Sequence, residues 1–442
     1  MSTAGMDTDL NADEKPRDAG APTRPGGLRS PLGLVILIVL IDLLGFSLVM
    51  PLLGPFAKEY QLEGWRVGLL FAAFPICQLV AGPILGRLSD RHGRRPILVL
   101  SQAGTALSFV ILGLARDYPT MLLGRMLDGA SGGNIMVAQA YVADVTKPEH
   151  RARGMGMIGM AFGLGFVLGP LLGGLMQDLP LPPGWHLRTP FLAAAGFSTI
   201  ALIMVIARLP ESLPAGSKPR QAARVLSRRG LADVFRLEGV GSLALIAFLS
   251  ILAWAALEGT FAVFLQRRMG WTPKGAAFAF AATGLLSAIV QGGLIRTLVP
   301  RFGELRLILS GGLLAGVGFA IVAAAPGTGI LPLAVAITLF AVGSGLLSPS
   351  IMGLLSRITP ASEQGAVFGA LTSIQTLARI VSYLIGNVLL DRVSLSAPYW
   401  FATAVYALTV LVTLLAAPRL AKALRRSQAL APEASNVEAT PA

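Results

Sequence analysis

Apolar runs of membrane-crossing length recur from near one end of the chain to the other, and they limit what it can fold into more than any motif does. They lie at about 32–56, 66–86, 96–115, 120–143, 154–176, 189–207, 240–264, 275–295, 307–325, 330–356, 364–388 and 397–417. A helix of roughly 20 residues spans a bilayer core of ~30 Å, and only helices and closed barrels satisfy their backbone inside lipid. The runs predict an all-α integral membrane protein with 12 transmembrane helices. Charge agrees: 13% of the residues are charged, against about one quarter in soluble domains.

The net charge of +13 arises from short basic clusters between apolar runs, not from one polar face, so a nucleic-acid partner is not expected. Sorting the connections by parity puts 26 Lys and Arg in the tails and even-numbered loops and 8 in the odd-numbered loops. Both termini are therefore expected on the cytoplasmic side of the cell membrane. The longest internal connection is basic and divides the runs six and six. The expected organisation is a disordered cytoplasmic tail (1–30), a six-helix bundle (31–207), a basic linker (208–239), a second six-helix bundle (240–417) and a cytoplasmic tail (418–442), loose from 427 onward. Cys77 is the single cysteine and there are three scattered histidines, so neither a disulfide framework nor a metal cluster is expected.

Gly82-Pro-Ile-Leu-Gly86-Arg-Leu-Ser-Asp90-Arg91-His-Gly93-Arg94-Arg95-Pro96 packs five charged side chains into a hinge between two such runs. Asp90 and Arg94 are four apart and can pair, and Gly93 lets the chain turn before Pro96 opens the next helix. An offset of 210 aligns Gly82 with Gly292, Arg91 with Arg301 and Gly93 with Gly303, while Arg296 and Pro300 replace Gly86 and Asp90. The chain thus reads as two pseudo-symmetric halves, the second with a degraded hinge.

Ionisable residues inside the runs are few and expensive, which makes each a candidate site. Arg125 and Asp128 are three apart in run four, either a functional pair or an ion pair that only fixes helix rotation. Asp42 stands alone in run one, where an apolar setting favours a protonatable carboxyl; the plainer reading is a carboxyl bonded to a neighbouring helix. Glu258 in run seven, and Arg379 with Gln375 in run eleven, suggest a midplane cavity, although Glu258 can equally lie near the end of its span. Phe46, Phe74, Phe261, Phe264 and Tyr383 supply either an aromatic wall or ordinary packing.

Gly86-x-x-x-Asp90-Arg91-x-Gly93-Arg94-Arg95 resembles the signature loop of the major facilitator superfamily of secondary transporters. The resemblance, which covers about 32–420, implies two six-helix bundles around a central cavity. It places Asp90, Arg94 and Asp144 together as a cytoplasmic gate, with Gly86, Arg91, Gly93 and Arg95 completing the loop. Arg125 matches the family's span-four arginine, implicated in proton transfer; Asp128 does not belong to that motif. Gly165-x-x-x-Gly169-Pro170-x-x-Gly173-Gly174 resembles the glycine motif found in exporters of the superfamily.

The Asp42 segment, with Gly132-Gly133-Asn134 and Ala138-Gln139-Ala140-Tyr141-Val142-Ala143-Asp144, resembles the tetracycline-resistance branch of drug:proton antiporters. There the matching aspartate is a coupling candidate, and Asn134 and Gln139 fall at the cavity. Runs three and nine carry no acid, whereas tetracycline exporters proper are expected to have acids there, so tetracycline is not the expected substrate. The expected function is a monomeric, proton-coupled antiporter that exports small amphiphilic or drug-like molecules, using the proton gradient and no cofactor. No Gly-x-x-x-x-Gly-Lys-Ser/Thr loop supports direct ATP drive, and no covalent chemistry is implied. An importing symporter of a small metabolite and a non-transporting membrane sensor or scaffold are the alternatives; the glycine motif disfavours the first and the intact acids the second.

Overall fold

A computed structural model describes residues 30–146, 150–182, 184–213, 237–324, 329–360 and 363–436. The expected tail before Ser30 and most of the expected linker lie outside these residues. In the first half the helices are α1 (Pro31–Glu59), α2 (Gly64–His92), α3 (Arg94–Leu114), α4 (Tyr118–Ser131), α5 (Asn134–Val145), α6 (Arg151–Leu175) and α7 (Thr189–Arg208). The second half has α8 (Val240–Met269), α9 (Pro273–Ile289), α10 (Ile295–Phe302), α11 (Glu304–Ala324), α12 (Ile330–Ile358), α13 (Gln364–Arg392) and α14 (Ala397–Asn436).

Local sequence sets where these helices begin. Ser30 before Pro31, Asp117 two before Pro119 and Thr272 before Pro273 each cap an N-terminus, their side-chain oxygens accepting from Gly33, Thr120 and Gly275 N–H groups. The two hinges repeat one backbone shape: Gly93 has φ 100° and ψ 158°, and Gly303, which the 210 offset pairs with it, has φ 76° and ψ 156°. A positive φ of this kind favours glycine over any residue with a Cβ.

Eleven helices among the described residues are long and apolar enough to cross a membrane, which makes this a multi-pass membrane protein. The remaining run, expected as one helix over 120–143, is instead broken into α4 and α5 at Gly132–Gly133. The break follows from adjacent glycines, which resist helix, and the carbonyl it frees at Gly132 accepts from Gln78 Nε2 at 3.0 Å. The eighth span carries a π-turn, Val290–Leu294, between α9 and α10. A second departure lies at the C-terminal end, where the expected loose segment from 427 is helical as far as Asn436. Strong helix formers in Ala421-Lys-Ala-Leu-Arg-Arg and Gln428-Ala-Leu-Ala carry α14 past its apolar run.

Within the first half α1 packs on α6 and α7, and α3 on α4 and α7; within the second, α11 packs on α12 and α14, and α8 on α13 and α14. The halves meet through α2 with α13, α6 with α9, and α1 with α8. One apolar core of the first half takes in Ala255 and Tyr383 from the second, whereas the core around Leu34, Val39, Leu98 and Tyr141 is built from first-half residues alone. The bundles are thus joined toward one end.

Candidate functional site

Contacts between the halves run along α2 with α13, α6 with α9, and α1 with α8 and α9, and stop partway. At the end away from the basic loops, Gly64 N–H donates to Asp391 Oδ2 at 2.9 Å, and a Cβ at Gly64 would lie 2.4 Å from the Asn387 carbonyl oxygen. Lys274 pairs there with Asp178, the Phe71 and Tyr383 rings meet at 5.4 Å, and Gly54 faces Val263. Toward the basic end Gly156 and Gly159 of α6, Gly292 and Gly293 beside α10, and Gly365 and Gly369 of α13 have no neighbour where a Cβ would stand. The two bundles are closed on each other at the far end and parted at the basic end.

The hinge lies on the basic end of the first bundle. Arg94 is buried, with 3% of its side chain exposed; its Nη1 reaches Asp90 Oδ1 at 2.6 Å and its Nε reaches Asp144 Oδ2 at 3.0 Å. Ser89 Oγ accepts a further bond from Nη1 at 2.7 Å. Arg95 Nη2 donates to the Ile206 carbonyl at 2.6 Å, while Arg91 is exposed and Gly86 faces Met136. Sequence reasoning missed Glu211, whose carboxylate accepts the backbone N–H groups of Arg94 and Arg95 at 2.8 and 3.1 Å. The available signal was a helix starting Gly93-Arg94-Arg95-Pro96 with no capping side chain of its own, which leaves backbone donors to be satisfied from elsewhere.

Three further polar groups lie inside the spans. Asn134 Nδ2 donates to Asp42 Oδ2, joining the first residue of α5 to the middle of α1. Asp42 Oδ1 has no hydrogen-bond partner, and no arginine or lysine contacts the carboxyl among the described residues. Arg125 Nη1 bonds Asp128 Oδ2 at 3.0 Å, its Nε leans on the Leu70 carbonyl at 3.4 Å, and its guanidinium lies 5.0 Å from the Phe74 ring centroid. In the second half Glu258 gathers Arg379 Nη1 at 2.7 Å, the Tyr383 hydroxyl at 2.8 Å and Trp254 Nε1 at 3.0 Å.

Of the remaining candidates, Gln139 is exposed and Gln375 half-buried. The glycine motif binds α6 to α1: a Cβ at Gly165 would lie 2.8 Å from Leu43 Cβ, at Gly169 1.9 Å from Ser47 Oγ, and at Gly173 3.0 Å from the Leu48 oxygen. Gly174 turns instead toward Ala277 and Lys274 of the other half, and Pro170 lies within α6.

A family model described as Major Facilitator Superfamily matches residues 35–381 and 243–438. A class G tetracycline resistance protein of Vibrio anguillarum is 31% identical over 81% of this chain and 89% of its own length. Multidrug resistance protein 2 of Bacillus subtilis (strain 168) is 29% identical over 82% of this chain and 89% of its own. The crystal structure of a human organic anion transporter superposes with a TM-score of 0.66 at 26% identity, covering 88% of this chain and 100% of that one.

Proposed function

The chain belongs to the Major Facilitator Superfamily, and from that premise we propose that it is a proton-coupled antiporter exporting small amphiphilic or drug-like molecules across the cytoplasmic membrane. Its similarity to tetracycline and multidrug resistance proteins over most of its length supports the direction and the substrate class. The basic loops and both termini face the cytoplasm, following the loop-charge asymmetry. The chain acts as a monomer and opens to the cytoplasm between its bundles.

The observation that carries the reading is Asp42 and its surroundings. Asp128 and Glu258 each contact an arginine, at 3.0 and 2.7 Å, so protonating either would leave that arginine without its counter-charge. Asp42 bonds the neutral Asn134, with Gln102 nearby and no arginine or lysine paired to it among the described residues, and can gain or lose a proton without that penalty. An antiporter needs one group that holds a proton in one orientation and releases it when substrate binds in the other, linking the two events with opposite sign. Arg94, Asp90 and Asp144 act as the cytoplasmic latch that forms and breaks in that cycle.

The test is dye or drug uptake into everted vesicles with simultaneous proton release. Asp42→Asn should lose uphill, gradient-driven movement, by at least about a hundredfold as expected for an essential proton-transfer group, while still folding and allowing downhill exchange. Full gradient-driven movement by Asp42→Asn, with loss confined to Glu258→Gln, would move the coupling site to α8.

A further inference from the structure

The Glu258 cluster is unequal in its hydrogen bonding. Glu258 receives three donors, one from Trp254 on Oε1 and two, from Tyr383 and Arg379, on Oε2. Arg379 gives Nη1 to Glu258 and has the Tyr383 side chain as its other polar neighbour, two partners for a group with five N–H donors. Its side chain is 31% exposed against 11% for Glu258. The carboxylate is saturated and covered, and the guanidinium is neither. A guanidinium presents five donors in a planar fork suited to a carboxylate.

The position of Arg379 on α13 shows where those donors stand. Residues 365, 369, 372, 376, 379, 383 and 387 follow one another at helical spacing and form a single stripe. At its far end the stripe is covered by the other bundle, Tyr383 by Phe71 and Asn387 by Gly68. At its basic end Gly365, Gly369 and Thr372 are exposed. Arg379 sits at the transition, at the closed end of the opening between the bundles. The Thr372 and Thr376 hydroxyls donate to backbone carbonyls of their own helix, which leaves Arg379, part of whose fork is exposed beyond its Glu258 pair, as the strong donor of the stripe. Phe74, one turn along α2 from Phe71, begins a run of half-buried rings on the first bundle: Phe46 lies 5.3 Å from Phe74, and Phe166 6.3 Å from Phe46.

We infer that Arg379 docks the carboxylate of an amphiphilic substrate whose flat apolar body lies toward the Phe74–Phe46–Phe166 rings. The inference deepens the exporter reading and rests on it for the word substrate. At this cluster a cation would have to bind Glu258 instead, and would do so only by displacing three donors from a nearly buried carboxylate.

The experiment uses the purified full-length protein and three probes of one shape: 2-naphthoate, the neutral 2-naphthamide and the cationic 2-naphthamidinium. Binding is measured by calorimetry, and pH-gradient-driven movement in proteoliposomes. The wild type should bind naphthoate at least about tenfold more tightly than naphthamide, the worth of one charge-assisted hydrogen bond. Arg379→Lys should keep part of that preference. The double variant E258Q/R379Q leaves no charge unpaired, so it should fold, and it should bind naphthoate and naphthamide alike. Equal binding of the probes by the wild type, tighter binding of naphthamidinium, no binding of any probe, or a naphthoate preference that survives in E258Q/R379Q each overturns the inference. An Arg379-dependent naphthoate preference without gradient-driven movement of any probe upholds the anion site and overturns the exporter reading.

Discussion

The two hinges occupy equivalent places in the two bundles and use opposite charges. In the first, a cation, Arg94, opens α3 and pairs with Asp144 at the end of α5; in the second, an anion, Glu304, opens α11 and pairs with Arg357 near the end of α12, at 2.6 Å. The 210 offset that aligns Gly93 with Gly303 also aligns Arg94 with Glu304. A helix N-terminus carries about half a positive charge, so an acid there is favoured and an arginine is not. The first hinge accordingly surrounds Arg94 and the start of α3 with three carboxylates, Asp90, Asp144 and Glu211. The second needs one arginine, which is 44% exposed. The costly arrangement is the one that can be switched, because its stability depends on several partners that move with different helices.

That contrast is open to attack by mutation. The largest effect belongs to Arg94→Ala, which removes the buried guanidinium that Asp90 and Asp144 share and should cost about 3–5 kcal/mol in thermal unfolding of the purified protein. A loss no greater than that of an exposed pair would refute the asymmetry. Next comes Glu211→Gln, which weakens the charge-assisted bonds to two backbone donors and should cost about 1.5–3 kcal/mol; an unchanged melting curve would reduce Glu211 to a bystander. Asp90→Asn keeps the Asp144 bond and should slow exchange about tenfold, the equivalent of one such bond in the barrier. Transport at the wild-type rate would mean that the Asp90 contact is no latch. The smallest effect is expected at Arg357→Ala, where Glu304 keeps the favourable helix end and a half-exposed ion pair is lost, about 1 kcal/mol or less. A defect there as deep as that of Arg94→Ala would make the two hinges equals.

The spans were legible because lipid leaves the backbone few options: the run 189–207 became Thr189–Arg208, and 364–388 lies inside Gln364–Arg392. The Asp90–Arg94 pair was legible because helical spacing of four brings such side chains together. Asn134 with Asp42, Glu258 with Arg379, and Glu304 with Arg357 were not, since these partners are 92, 121 and 53 positions apart on different helices. Hydropathy fixes how long a helix is, and its rotation and neighbours are set by packing against other helices. The Gly132–Gly133 pair was visible in the sequence, but the run 120–143 that contains it was read as one helix, because hydropathy averaged over a span does not register a local break.

The broken fourth span also bears on how the protein enters the membrane. The 14 residues of α4 and 12 of α5 are about 21 and 18 Å long, each too short to cross a ~30 Å hydrocarbon layer alone. The first segment moreover carries Arg125 and Asp128. Its stability in lipid comes from α2, whose Leu70 carbonyl receives Arg125 and whose Gln78 side chain occupies the carbonyl at the break. During synthesis the fourth span can therefore leave the translocon for lipid only once the second is there to receive it, which makes α2 a template for the assembly of its own bundle.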